Sequence, residues 1–117
     1  MNDLLSSAGA ISSFLGTTRD NFEDKVVTYL EYESYPDMAL DYMLEICTKA
    51  REKWQLIHIA IQHKLGPCPI KDISIAIIIS SAHRKDSLAA VHYAIDELKR
   101  SVPIWKKVIS YRMYNVI

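Results

Sequence analysis

The residues most able to do chemistry are basic side chains at the ends of predicted elements. Arg19 lies just past the first predicted strand, and His83 and Arg84 lie where a central strand meets a helix N-terminus. Lys99 sits in the last turn of that helix, and Lys106 and Lys107 follow a break at Pro103. A helix N-terminus offers free N–H groups and a partial positive charge, so His83 and Arg84 there form a pocket for a phosphate. The alternative is a solvated Arg84 and a His83 satisfied by a backbone carbonyl. Lys99 near a helix C-terminus is favourable for the dipole alone. Trp105 is either a core anchor or the apolar wall that desolvates a neighbouring lysine, and desolvation lowers a lysine's pKa toward general-base or nucleophile use. His63, on the apolar face of its strand, reads as a satisfied core histidine. Cys68, between two prolines, reads as a small buried hydrophobe with no local His or Lys to activate it. His58 and His92 show nothing specific. There is no glycine-rich phosphate loop, no His-Glu zinc helix and no nucleophile elbow.

These residues need a scaffold, and the composition allows one. The chain has 117 residues, 50% hydrophobic and 24% charged, which fits a single domain over residues 1–117 with a real core. Fourteen Lys+Arg balance fourteen Asp+Glu, so a polycation that coats nucleic acid is not expected. The balance hides an asymmetry: nine acids against two bases up to Ile46, and seven bases against three acids from Arg84 onward. A basic C-terminal surface that receives an anion follows, or else two solvated helix faces. The longest apolar run, Ile75 to Ile79, is too short to span a bilayer, and no secretory leader is expected. Cys47 and Cys68 lack metal-ligand spacing, which suits a reduced cytosolic protein.

Patterning places the elements. Gly9 to Gly16 reads as a strand, Thr17 to Asp24 as a loop, and Lys25 to Glu33 alternates as a half-buried strand. Ser34-Tyr-Pro-Asp37 carries a helix start with a possible capping box, and the helix runs to about Lys53. Ile57 to Leu65 alternates, and Gly66-Pro-Cys-Pro69 breaks it. Ile73 to Ser81 is apolar on both faces and predicts a central strand covered on each side. Leu88, Val91, Ile95, Leu98 and Val102 give a helical stripe that ends near Ser101, before Pro103, and Ile104 to Ser110 is extended. The expected fold is an α+β sandwich, two helices packed on one face of a mixed, mostly antiparallel sheet. Its expected core is Leu30, Ile46, Trp54, Ile59, Ile61, Ile75, Ile77, Leu88, Val91, Ile95 and Leu98.

Six short motifs in order resemble the large, catalytic subunit of molybdopterin synthase in its animal form. They are Gly9-Ala-Ile-Ser-Ser-Phe-Leu-Gly-Thr-Thr-Arg-Asp-Asn-Phe22, Leu30-Glu-Tyr-Glu-Ser-Tyr35, His63-Lys-Leu-Gly66, Ser80-Ser-Ala-His-Arg84, Ala94-Ile-Asp-Glu-Leu-Lys99 and Val102-Pro-Ile-Trp-Lys-Lys107. The resemblance implies an α/β-hammerhead type of α+β fold. It implies a central pair of large subunits, with a small ubiquitin-like sulfur-carrier subunit docked at each end. The small subunit's Gly-Gly tail carries a thiocarboxylate and threads into the large one. The substrate implied is cyclic pyranopterin monophosphate, a pterin phosphate, which two sulfur transfers convert to molybdopterin without a metal or redox cofactor. By position, Arg19, His83 and Arg84 match the family's anion- and substrate-binding residues, and Lys99 and Lys106 match its two lysines at the sulfur-transfer site. Both ligands are anions, so fixed positive charge suits the pocket. The resemblance casts Lys106 as acid/base or substrate-positioning group, and Lys99 as holder of the thiocarboxylate carbonyl. Lys64 stands where the family usually has Arg, and the stretches before Gly9 and after Lys107 depart from the family pattern. The alternative is therefore a non-catalytic interaction protein that keeps the fold and dimer surface. Neither a nucleic-acid nor a membrane partner is expected, and a homodimer is the expected minimum unit.

Overall fold

A computed structural model of the protein describes the backbone of residues 7–22, 25–34, 36–102 and 104–110, and the side chains of 7–20, 32, 37–102 and 104. Seven strands and two helices follow one another: β1 (Ala10–Thr17), β2 (Asn21–Phe22), β3 (Lys25–Ser34), α1 (Pro36–Lys53), β4 (His58–His63), β5 (Gly66–Pro69), β6 (Ile73–Ser81), α2 (Arg84–Ser101) and β7 (Ile104–Ser110). No helix among the described residues is long and apolar enough to cross a membrane.

The strands form two sheets. The first has the order β1-β6-β4, and in the second β3 pairs with β2, β5 and β7. Every pairing among them is antiparallel. The helices cover one face of the first sheet. Alanines at 39, 50, 90 and 94 are buried there with Ile46, Ile77, Ile79, Val91, Leu98 and Val102. Such small residues let the helix axes approach the sheet and each other closely. Trp54 meets Tyr93 edge-on at 5.5 Å between ring centroids, which joins α1 to α2. Arg51 donates to the carbonyls of Leu56 and Ile57 at 3.1 Å each and so fixes the turn from α1 into β4.

Several expectations need correction. Gly66–Pro69 is strand β5, a partner of β3. Its two prolines lack an N–H, but an edge strand needs only one bonded side. Gly66 opens it at φ +80, a conformation that favours glycine. The predicted loop contains β2, whose Phe22 pairs with Lys25. The α2 stripe is rotated: Ser87, Ala90, Val91, Ala94 and Leu98 are buried, while Leu88 is 57% exposed. Ser87 takes the inward position because its hydroxyl meets that of Ser12 on β1 at 2.7 Å. Of the remaining expected core, Ile46, Ile77, Val91 and Leu98 are buried, and Trp54, Ile59, Ile61, Ile75 and Ile95 pack against them half-buried. The side chain of Leu30 and the proposed cap at Ser34 lie outside the described residues.

β6 is central, but only one of its faces is covered. On the other face Ile78 is 45% exposed, with Ile11 at 72% and Leu15 at 51% beside it on β1. Ile77 and Ile79 are both fully enclosed, at 0% exposure. Ile77→Ala is expected to lower folding stability by about 2–5 kcal/mol, read as a shift in the denaturant midpoint with an unchanged slope.

Candidate functional site

Basic residues gather at two opposite ends of the β1-β6-β4 sheet. At the first end β6 runs into α2. Gly9 donates its N–H to the Ser81 carbonyl at 3.0 Å, and a Cβ on Gly9 would stand 2.2 Å from the Ala82 carbonyl oxygen, so only glycine allows this approach. The N-cap residue of α2 is His83, whose side chain makes no capping bond. Ser81 does that work from outside the helix: its hydroxyl donates to the His83 carbonyl and accepts the Ser87 N–H at 3.2 Å. His83 and Arg84 are thereby left exposed beside the free amides of the first turn, the arrangement that binds a phosphate. The sequence shows Ser80-Ser before the helix, but not that the second serine supplies the bonds that the His83 side chain does not make.

The second end holds the other bases. α2 returns along β6, and its 18 residues span about 27 Å, so Lys99 lies about 22 Å along the helix from Arg84. Buried Thr18 holds Arg19 at the same end, for its N–H donates to the Asp72 carbonyl at 3.1 Å and its hydroxyl to Cys68 Sγ at 3.2 Å. Lys64 pairs with Asp72 at 3.1 Å. Among the described residues Arg19, Arg84 and Lys99 form no ion pair. The backbone register places Lys106 opposite Tyr32, and Lys107 opposite Glu31. The side chains of Trp105, Lys106 and Lys107, and with them the expected Trp105 wall, lie outside the described residues. One chain therefore gathers Arg19 and Lys99 at the end to which the β3–β7 ladder brings Lys106, and keeps His83 and Arg84 at the other.

Two residues beyond the sequence candidates join the lysine end. The Tyr32 ring meets the His63 ring in a T-shaped contact, 4.8 Å between centroids and 74° between planes. His63 Nδ1 is 2.7 Å from the Lys64 carbonyl oxygen, so the expected satisfied histidine is borne out on that nitrogen. Its ring lines a cleft of about 420 Å³ together with Met43, Ile61, Lys64, Ser74 and Ile75. Burial holds its pKa below the ordinary 6.5, against a smaller opposing pull from the Lys64 hydrogen bond. The unfolded chain therefore binds a proton at higher pH than the folded one. The stability His63 contributes is present above the ordinary histidine value and is lost as pH falls through the lower folded one. Thermal melts between pH 7 and 5 are expected to show a steeper loss for the unmutated chain than for His63→Asn.

Comparison with known proteins gives the chain its relatives. The family model described as "MoaE protein" matches residues 1–101. The chain is 58% identical over 110 residues to molybdopterin synthase catalytic subunit 1 of Aedes aegypti, covering 92% of this chain and 71% of that protein. The crystal structure of molybdopterin synthase from Staphylococcus aureus superposes with a TM-score of 0.86 at 40% identity, over 94% of this chain and 78% of that one. A complex of subunits 1 and 2 of molybdopterin-converting factor from Helicobacter pylori shares the fold, with a TM-score of 0.77 at 23% identity over 93% of this chain and 71% of that one.

Proposed function

The chain belongs to the MoaE family of molybdopterin synthase catalytic subunits, and from that premise we propose how its residues transfer sulfur. Acting in the cytosol as one domain over residues 1–117, it takes cyclic pyranopterin monophosphate as substrate. Sulfur comes from the thiocarboxylated Gly-Gly tail of a small ubiquitin-like subunit, and the product is molybdopterin. The observation that carries this is the set of exposed cations Arg19, Arg84 and Lys99, at both ends of the first sheet, which form no ion pair among the described residues, since substrate and sulfur donor are both anions. Arg84 and His83, with the first-turn amides of α2, hold the phosphate. Arg19 adds charge at the lysine end. Lys99 holds the thiocarboxylate carbonyl and stabilises the tetrahedral centre that forms on it. Lys106 moves the protons that ring opening of the phosphate and loss of water require.

Because one chain separates the two sets of bases by the length of α2, a complete site takes a second copy. The bare face of the first sheet, with Ile11, Leu15 and Ile78, is the surface for it. A twofold axis in that face and across the strands lays one copy's His83 and Arg84 over the partner's Arg19 and Lys99. The test is reconstitution: the chain, thiocarboxylated small subunit and pterin precursor are mixed, and molybdopterin is measured. Product formation is expected. Tight partner binding without product would make the chain a non-catalytic interaction protein.

A further inference from the structure

We propose that His63 is a second proton-exchange residue of the sulfur-transfer site, beside Lys106, accepting a proton at Nε2 within the cleft between β4, β6 and α1 and passing it on to water. This rests on the function proposed above and extends it to a residue outside the five bases.

The geometry fixes which nitrogen is the base. A carbonyl oxygen only accepts, so the 2.7 Å contact with Lys64 requires the proton on Nδ1 and leaves a lone pair on Nε2. Among the described residues Nε2 has no partner. The ring is held from both sides, by that hydrogen bond and by the Tyr32 ring at 4.8 Å. Tyr32 is in turn the cross-strand partner of Lys106, and such partners have Cα atoms about 4.5–5.5 Å apart. One aromatic ring therefore separates the His63 imidazole from the strand position assigned to acid/base work.

The surroundings suit a neutral base. From α1 the ring's cleft receives Met43, and from β6 Ser74 and Ile75, none of them charged. Lys64, which lines the same cleft, is paired with Asp72 at 3.1 Å. Tyr32 faces the ring from β3, and Lys106 stands opposite Tyr32 on β7. No carboxylate among the described residues contacts the ring to hold it charged, and its burial favours the neutral form. The step balances within the site. The reacting group gives its proton to Nε2, the imidazolium keeps Nδ1–H on Lys64, and Nε2–H passes to water in the cleft.

His63→Asn separates the two functions of the ring. The asparagine amide places an N–H near the position of Nδ1 and keeps the bond to Lys64, but nothing titrates. Single-turnover rates are measured against pH with saturating thiocarboxylated partner. The variant is expected to lose about 10²-fold in rate at pH 7 and to lose the acid limb of the profile, with precursor affinity kept. Added imidazole is expected to recover part of the rate in His63→Ala, whose cavity admits it. Ring ¹⁵N shifts of the unmutated chain supply a readout that needs no variant, with the Nδ1–H tautomer expected. An Nε2–H tautomer, or a His63→Asn profile like that of the unmutated chain, would overturn the assignment while the sulfur-transfer function stands. Absence of turnover in the unmutated chain would remove both.

Discussion

Lys106→Ala is expected to lower single-turnover sulfur transfer by about 10²–10⁴-fold, with little change in folding stability, while Lys107→Ala stays near the unmutated rate. The difference comes from the β3–β7 ladder. Lys106 stands opposite Tyr32 and Lys107 opposite Glu31, and successive strand positions belong to opposite sheet faces. Only position 106 shares the face on which Tyr32 meets His63. Arg84→Ala gives a third pattern. It removes the charge-assisted phosphate contact proposed for Arg84, so precursor affinity is expected to fall about 10–100-fold, from the roughly 1.5–3 kcal/mol of such a bond. The chemical step at saturation is expected to change far less. Rates and affinities measured with saturating thiocarboxylated partner separate the three. Equal small losses for Lys106→Ala and Lys107→Ala would remove Lys106 from the chemistry.

The two strands of that ladder are legible in the amino-acid sequence, as are most of the elements, but their pairing is not. Period-two alternation marks β3 and β4, and along β4 exposed and half-buried side chains do alternate. Three-four spacing marks α1 and α2. The spacing fails on α2 in one respect: Leu88 has the pattern of a core residue and is exposed, while Ser87 is buried. Hydrophobicity cannot foresee that, since Ser87 is held inside by hydrogen bonds to Ser12 and Ser81 and not by transfer from water. Gly66–Pro69 has the composition of a breaker because proline cannot serve a central strand, yet beside β3 it has only one edge to fill. The two-sheet arrangement is hidden for a related reason. Local patterning reports which face of a strand is buried, but not which strand lies beside it. The site residues are visible as types at element ends, and the motifs assign them. What no local pattern carries is their distribution, with His83 and Arg84 at one end of α2 and Lys99 at the other. A satisfied His63 holds for Nδ1; that its second nitrogen has no partner among the described residues, and that the residue lines a cleft with α1 and β6, no strand pattern shows.

That distribution leads to the second large effect, complementation between inactive variants. Arg84→Ala and Lys106→Ala chains, each assayed alone at subsaturating precursor, are expected to be nearly inactive, because every site lacks one of the two groups. Mixed and allowed to exchange subunits, half of the pairs are hybrids under random assortment. In a hybrid, one site takes Lys106 from the Arg84→Ala chain and Arg84 from the Lys106→Ala chain, and is whole. The other site carries both defects. About a quarter of the sites, and so about a quarter of the unmutated activity, is expected to return. If each chain held a complete site by itself, mixing would return nothing. Ile78→Asp in both variants adds a control on the surface, since a charge on the bare sheet face is expected to block pairing and abolish the recovery. Sedimentation of Ile78→Asp would then give a monomer, and a retained circular-dichroism spectrum would locate the loss at the interface and not in the fold, with a lower thermal midpoint expected from the lost association.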